Sequence, residues 1–169
     1  MKVLETDRLV LRRLTADDAA FIHQLVNEPS WLQHIGDKGV RTLDDARTYI
    51  LNGPVAMYGR VGFGLYLTEL KEDGAPIGIC GLLQRETLPD VDIGLAFLPQ
   101  FWGRGYAVEA ATAVLEYGRS TFGLNRIVAI TSLGNHPSMK LLEKIGFRFE
   151  KRIQLSARGE EVTLFAFHF

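Results

Sequence analysis

The sequence predicts an α+β fold built on one mixed sheet, and three observations carry that prediction. Between 63 and 98, three strand patterns follow one another with only short turns, the order of an antiparallel meander. A helix-length segment rich in small residues then separates the third strand from a short buried strand at 126–131, a crossover that lets those two strands lie parallel and adjacent. Two more strand patterns, at 147–154 and 161–169, close the chain.

Each element has its own signal. Leu9 and Leu11 alternate with their neighbours in a short strand over 8–13. Thr15 with Asp18 has the spacing of a capping box, and Ala19, Phe21, Ile22, Leu25 and Val26 give the helix behind it an apolar stripe. Thr42 with Asp45 repeats the signal and opens a shorter helix through Ala46, Tyr49 and Ile50, expected to end before Gly53 and Pro54. The segment 28–40 between these helices reads as irregular, and loops on a rigid scaffold often shape substrate sites. Within the meander, Asp73-Gly74 is a hairpin signal between strands at 63–70 and 76–85, and the strand at 91–98 follows the turn at Pro89. Ala107, Ala110, Ala111, Val114, Leu115 and Gly118 recur at helical spacing and are small on one face, so the helix from Arg104 can approach a sheet closely. A last helix over 137–145 has Pro137 in its first turn and Gly146 as its stop.

Composition bounds the function. The 169 residues, 47% hydrophobic, can bury one substantial core and are too few for two ordinary domains, so 1–169 is expected to be a single domain. Against 19 Lys and Arg stand 20 Asp and Glu, a formal charge of -1, so no whole-chain field favours nucleic acid or an anionic membrane as a partner. Cys80 is the single cysteine; it excludes an internal disulfide and a cysteine metal cluster, and its apolar setting fits a core residue better than a nucleophile. No metal is expected, since His23, His34, His136 and His168 show no ligand spacing. Residues 1–13 carry Glu5, Asp7 and three arginines rather than an apolar leader, and no apolar run approaches membrane-span length, so a soluble, cytoplasmic protein is expected. Phe165, Phe167 and Phe169 alternate as a strand does and read as core or interface; a homodimer through this terminal strand is a further expectation.

The segment from Leu95 to Ala107 is the most informative. A strand runs into a turn containing Gly103 and Gly105 and then into a helix, and such a junction presents unpaired N–H groups and the positive end of a helix dipole, both suited to a phosphate oxyanion. It is not a P-loop, because no Gly-Lys-Ser/Thr ends it, and it lacks the full G-x-G-x-x-G dinucleotide fingerprint. Alone, a plain turn accounts for it equally well.

Gln100-x-x-Gly103-x-Gly105 before an Ala-rich helix closely resembles the Q/R-x-x-G-x-G/A cofactor motif of the GNAT N-acetyltransferase superfamily. Downstream, Asn135-His-Pro-Ser138-x-x-Leu141-x-x-x-x-Gly146-Phe147 is similar to the second conserved stretch of that family. The opening Glu5-Thr-Asp-Arg-Leu-Val-Leu-Arg-Arg and the closing Gly159-Glu-Glu-Val-Thr-Leu-Phe look like the branch that includes ribosomal-protein alanine N-acetyltransferases, so the likeness spans nearly the whole chain. The resemblance implies a GNAT-like fold, a central twisted sheet of about six to seven strands flanked by about four helices. It implies direct transfer of an acetyl group from acetyl-CoA to a primary amine, on a protein N-terminus or a small molecule.

The family's roles carry over position by position. The pantetheine arm would lie along the strand near Leu95, Phe97 and Leu98, paired like an added strand. The pyrophosphate would meet the amides of Gly103, Arg104, Gly105, Tyr106 and Ala107, with the Arg104 side chain either adding charge or simply solvated. Asn135 is implied as a pantetheine partner and Ser138 as its near neighbour, although Asn and Ser also favour helix starts.

Acetyl transfer needs an uncharged amine, donors for the developing oxyanion and a proton for the departing thiolate. A strand N–H near Phe97 would serve the oxyanion. Asp92, early on the same strand, is the candidate base if burial raises its pKa, the alternative being an exposed strand-end charge beside Asp90. Many relatives place a Tyr as acid where this chain has Leu142; Ser138 is the candidate substitute, and water the alternative. Trp31, His34 and Tyr66 are the candidate acceptor-pocket residues, with core packing the competing role for Trp31. The missing Tyr leaves one other reading, a catalytically silent acyl-CoA-binding sensor module.

Overall fold

The computed structural model describes residues 1–157 and 159–169. β1 (Lys2–Glu5), β2 (Leu9–Arg13), β3 (Leu65–Leu70), β4 (Pro76–Leu83), β5 (Asp92–Phe97), β6 (Arg126–Ser132), β7 (Arg148–Gln154) and β8 (Glu161–His168) form one sheet in the order β1-β2-β3-β4-β5-β6-β8-β7. All neighbours are antiparallel except β5 and β6, which run parallel. The expected meander and the parallel pair across a helical crossover are both present. The eighth strand is β1, whose four residues, exposed at both ends and half-buried between, carry no alternating pattern of their own.

The helices are α1 (Ala19–Val26), α2 (Pro29–His34), α3 (Leu43–Ile50), α4 (Ala56–Val61), α5 (Tyr106–Phe122) and α6 (His136–Ile145). Both capping boxes form: Thr15 and Asp18 at the single 3-10 turn before α1, Thr42 and Asp45 at α3. Two expectations are corrected. The segment 28–40 is not wholly irregular, because Pro29 starts the six-residue α2. The helix from Thr42 does not stop at Gly53-Pro54; a π-type turn, Leu51–Val55, carries the chain on into α4. That wider turn accommodates a ring and a missing N–H that would break an ordinary α-turn.

The two larger hydrophobic clusters sandwich the sheet. On one face Leu9, Leu11, Tyr66, Cys80, Leu82 and Ile93 pack against Ala110, Ala111 and Val114 of α5 and Leu142 of α6. On the other, Leu67, Ile79 and Leu98 pack against Ile22, Leu25, Trp31, Ala46 and Ile50 of α1 to α3. The small face of α5 has its expected use: a Cβ at Gly118 would stand 3.0 Å from Ile127 and 3.2 Å from Leu82. Gly81 has less room still, since a Cβ there would lie 2.0 Å from the Gly64 carbonyl oxygen. Cys80 is fully buried and burial pushes its thiol well above the usual range, as expected of a core residue. No helix among the described residues is long and apolar enough to cross a membrane.

The parallel pair positions the site. β5 and β6 meet at a single register point, Asp92 opposite Val128, with Val128 N–H donating to the Val91 carbonyl at 3.0 Å. β4 stays paired with β5 as far as Phe97, so the open edge of β5 beyond Asp92 faces the gap where β6 has diverged.

Candidate active site

Two hydrogen bonds hold the turn at the end of β5. Leu98 N–H donates to the Ile77 carbonyl at 2.9 Å, and the Trp102 indole N–H donates to the Phe97 carbonyl at 2.8 Å. Trp102 thus anchors the turn although its ring is half exposed. Gly103 and Gly105 take φ of +75° and +82°, the left-handed region in which glycine is unstrained. Among the described residues, the amides of Gly103, Arg104, Gly105, Tyr106 and Ala107 donate to no backbone carbonyl. They converge at the N-terminus of the 17-residue α5, so unpaired donors and dipole coincide there.

A second support comes from far away in sequence. The Arg8 guanidinium donates to Glu109 Oε1 at 2.7 Å and to the Arg104 carbonyl at 3.0 Å, and lies 4.4 Å above the Tyr106 ring. Thr6 Oγ1 and the Arg8 N–H both donate to Glu109 Oε2, at 2.5 and 3.0 Å. Partial burial would raise the Glu109 pKa, but these donors outweigh it and hold the carboxyl below its ordinary range. The β1–β2 turn therefore clamps the glycine turn to α5. Neither Arg8 nor Glu109 could be assigned from sequence, being 101 residues apart; the only signal was their shared place in family-like segments.

At the mouth of the divergence, Asp92 is fully buried and Arg85 Nε reaches both of its oxygens at 3.2 Å. Burial drives the Asp92 pKa up to about 6, with the Arg85 charge pulling the other way. The buried reading of Asp92 holds and the exposed strand-end reading does not. Asp90 pairs instead with Arg126 at 3.1 Å. Asp92 lies on the α1–α3 side of the sheet: a Cβ at Gly94, two residues on, would stand 3.2 Å from Leu65, which packs in the α1–α3 cluster.

On that side, His34 Nδ1 and Ser132 Oγ are 2.8 Å apart, tying the end of α2 to the end of β6 across the gap. Trp31 and Tyr66, expected in the acceptor pocket, are instead core residues. Trp31 is 5% exposed within the α1–α3 cluster, and Tyr66, 1% exposed, stacks on Tyr58 and meets Tyr117 edge-on on the opposite, α5, side. Both expectations failed for one reason: an aromatic at a strand or helix position fills core before it lines a pocket. Asn135 Oδ1 accepts from the Ser138 N–H at 3.3 Å, so it caps α6, and its side-chain N–H₂ group makes no bond among the described residues. Leu142 is packed into the core at 4% exposure.

A diverging parallel pair with an open strand edge, running into a helix N-terminus of free amides, is suited to an extended ligand that ends in phosphates. A family model described as the acetyltransferase (GNAT) domain matches residues 8–148. The chain belongs to this family. The GNAT chain is 31% identical over 150 residues to the uncharacterized N-acetyltransferase YoaA of Bacillus subtilis, spanning 88% of this chain and 84% of that one. It is 28% identical over 156 residues to human alpha/beta-tubulin-N-acetyltransferase 9, spanning 91% of this chain and 67% of the relative. An acetyltransferase from Agrobacterium tumefaciens superposes with a TM-score of 0.83 at 26% identity, over 100% of this chain and 95% of the other. RimL, a ribosomal-protein alpha-N-acetyltransferase in complex with coenzyme A, shares the fold with a TM-score of 0.84 at 18% identity, over 99% and 98% of the two chains. The GNAT chain is accordingly an acyltransferase that takes its acetyl group from acetyl-CoA and gives it to an amine. Its groove fits that donor, because the free amides at 103–107 and the unpaired edge of β5 supply hydrogen bonds where a pyrophosphate and an amide-bearing arm need them.

Proposed function

We propose that residues 1–169 work as one N-acetyltransferase domain with the donor groove on the open edge of β5 and the acceptor on the α1–α3 side of Asp92. The observation that supports this best is the continuity of the open β5 edge with the undonated amides at the start of α5. Leu95, Phe97 and Leu98 line the pantetheine arm; Gly103, Arg104, Gly105, Tyr106 and Ala107 hold the pyrophosphate; the side-chain N–H₂ group of Asn135 faces the arm from the β6 side. Bound acetyl-CoA supplies the thioester carbonyl that the amine attacks.

Asp92 is the base. It has no exposed surface, so it takes the ammonium proton through a water admitted with the acceptor, and its raised pKa suits a proton acceptor near neutral pH. Ser138, half-buried in the first turn of α6 with a hydroxyl that makes no bond among the described residues, relays to the thiolate the second proton that the attacking nitrogen sheds as the amide forms, so its own hydroxyl is restored. His34, held by Ser132, forms the acceptor-side wall.

The test is a calorimetric titration of acetyl-CoA into the wild type and Gly105→Asp, followed by free-thiol detection with a panel of primary amines. Saturable binding lost in the variant, with thiol release from at least one amine, is the expected result. Binding without release from any amine would favour the acyl-CoA sensor instead, and no binding by the folded wild type would remove the donor groove.

A further inference from the structure

Arg85 lies beside the proposed reaction centre, and its hydrogen bonding is lopsided. It stands in the loop between β4 and β5, seven residues before Asp92, and spends Nε on both oxygens of that carboxylate at 3.2 Å. Its two terminal nitrogens have no partner among the described residues. Asp92 is fully buried, while the Arg85 side chain keeps 38% of its surface. A buried carboxylate thus fixes the guanidinium from behind and leaves the outward edge, the fork that binds carboxylates in bidentate fashion, presented to solvent.

The surroundings add to its charge. Arg60 donates to the carbonyl of Gln84, the residue before Arg85, at 3.2 Å. Lys38, although exposed by area, is partly desolvated and feels the Arg85 charge second, both lowering its pKa. Tyr49 of α3 also lies within the field of Arg85. Glu86, next along the loop, makes no ion pair among the described residues. Around Asp92, whose single negative charge Arg85 already matches, Arg60 and Lys38 add two positive charges against the one of the exposed Glu86 carboxylate, so the balance on this side is cationic. A polyamine or a lysine side chain would bring like charge into that field.

The geometry points to Arg85 as a carboxylate-recognising residue, so that the preferred acceptor is a primary amine carrying a carboxylate within reach of the Arg85 fork. The carboxylate can be the α-carboxylate of a free amino acid or an acidic side chain near a peptide N-terminus; the recognition chemistry is the same. Asp92 then has two jobs, base and anchor. This inference rests on the reading of the α1–α3 side as the acceptor side.

The experiment uses two matched pairs of acceptors: alanine against alaninamide, and a Ser-Asp-Ala-Ala amide against its Ser-Asn-Ala-Ala counterpart. Their binding to the coenzyme A-loaded protein is measured by calorimetry, and free-thiol release is measured with acetyl-CoA. In the wild type, one acid should bind roughly tenfold or more tightly than its amide partner, as expected of a charge-assisted fork, and the pair that shows it identifies the source. Arg85→Gln should bring that acid down to its amide's level. Arg85→Lys, which keeps the charge beside Asp92 but loses the fork, should do the same and serves if the first variant does not fold. A preference below twofold in both wild-type pairs, or one retained in a folded Arg85 variant, overturns the inference. Acid preference in binding with no thiol release from any amine would leave the carboxylate site standing and remove the catalytic reading.

Discussion

Replacing Asp92 with asparagine should flatten one part of the pH dependence of stability, and the size follows from the structure. The ordinary value for the carboxyl is 3.8, and burial raises it to about 6 in the folded protein. Between those values the folded chain keeps a proton that the unfolded chain has lost, so wild-type stability falls as pH rises. A shift of about two units corresponds to roughly 3 kcal/mol, complete once the pH passes about 6. No solvent discount applies, because Asp92 is fully buried. Arg85 loses its partner in the variant, but that is a pH-independent offset, since an arginine stays charged throughout.

The assay is urea unfolding of both proteins from about pH 4 to about pH 7.5, plotted as wild type minus variant so that other titrating groups cancel. The difference should drop by on the order of 3 kcal/mol across the interval. A flat difference would mean that the carboxyl titrates alike in both states. A rising one would mean that Arg85 outweighs burial and holds the pKa below the ordinary value, and Asp92 would then be too weak a base for the role proposed.

The same ionisation should appear in catalysis: kcat of the wild type should fall tenfold per pH unit below about pH 6, and Asp92→Asn should lose roughly two to four orders of magnitude, measured by thiol release. Arg8→Gln removes the clamp on the glycine turn and should raise KM for acetyl-CoA by about tenfold through its charge-assisted bonds, while S-acetylpantetheine, which lacks the pyrophosphate, should show little change. Equal losses with both donors would make Arg8 merely structural. Ser138→Ala should lower kcat without weakening acetyl-CoA binding; unchanged turnover would assign the thiolate proton to water. Leu142→Tyr should not supply an acid, because the position is core, and overpacking should cost about 1–3 kcal/mol by denaturant titration.

What could be read from the sequence was what local backbone chemistry determines. The capping pairs at Thr15 and Thr42, the small face of α5 and the glycine turn at Gly103 and Gly105 each follow from a few adjacent residues, and all are present. The elements that escaped are those whose local pattern is too short or is overridden. β1 is four residues that become a strand by pairing with β2; α2 is six residues long; and the chain passes Pro54 because a wide turn accommodates it.

The same division runs through the site, and there it separates donor from acceptor. A pyrophosphate can be held by backbone amides, so the residues that bind it sit together in sequence and announce themselves by glycine. An acceptor is held by side chains brought together by the fold, and each is ambiguous alone. Trp31 and Tyr66 looked like pocket aromatics and turned out to fill the two cores, whereas Arg85, in an unremarkable loop, gains meaning only from the buried carboxylate behind it. Asp92 joins the two halves of the proposed site: its place is set by β5, and its protonation is set first by burial, with Arg85 pulling the other way. Acceptor specificity in this chain should therefore follow changes at Arg85, His34 and Lys38, while exchange of core aromatics should alter stability and leave the choice of amine as it was.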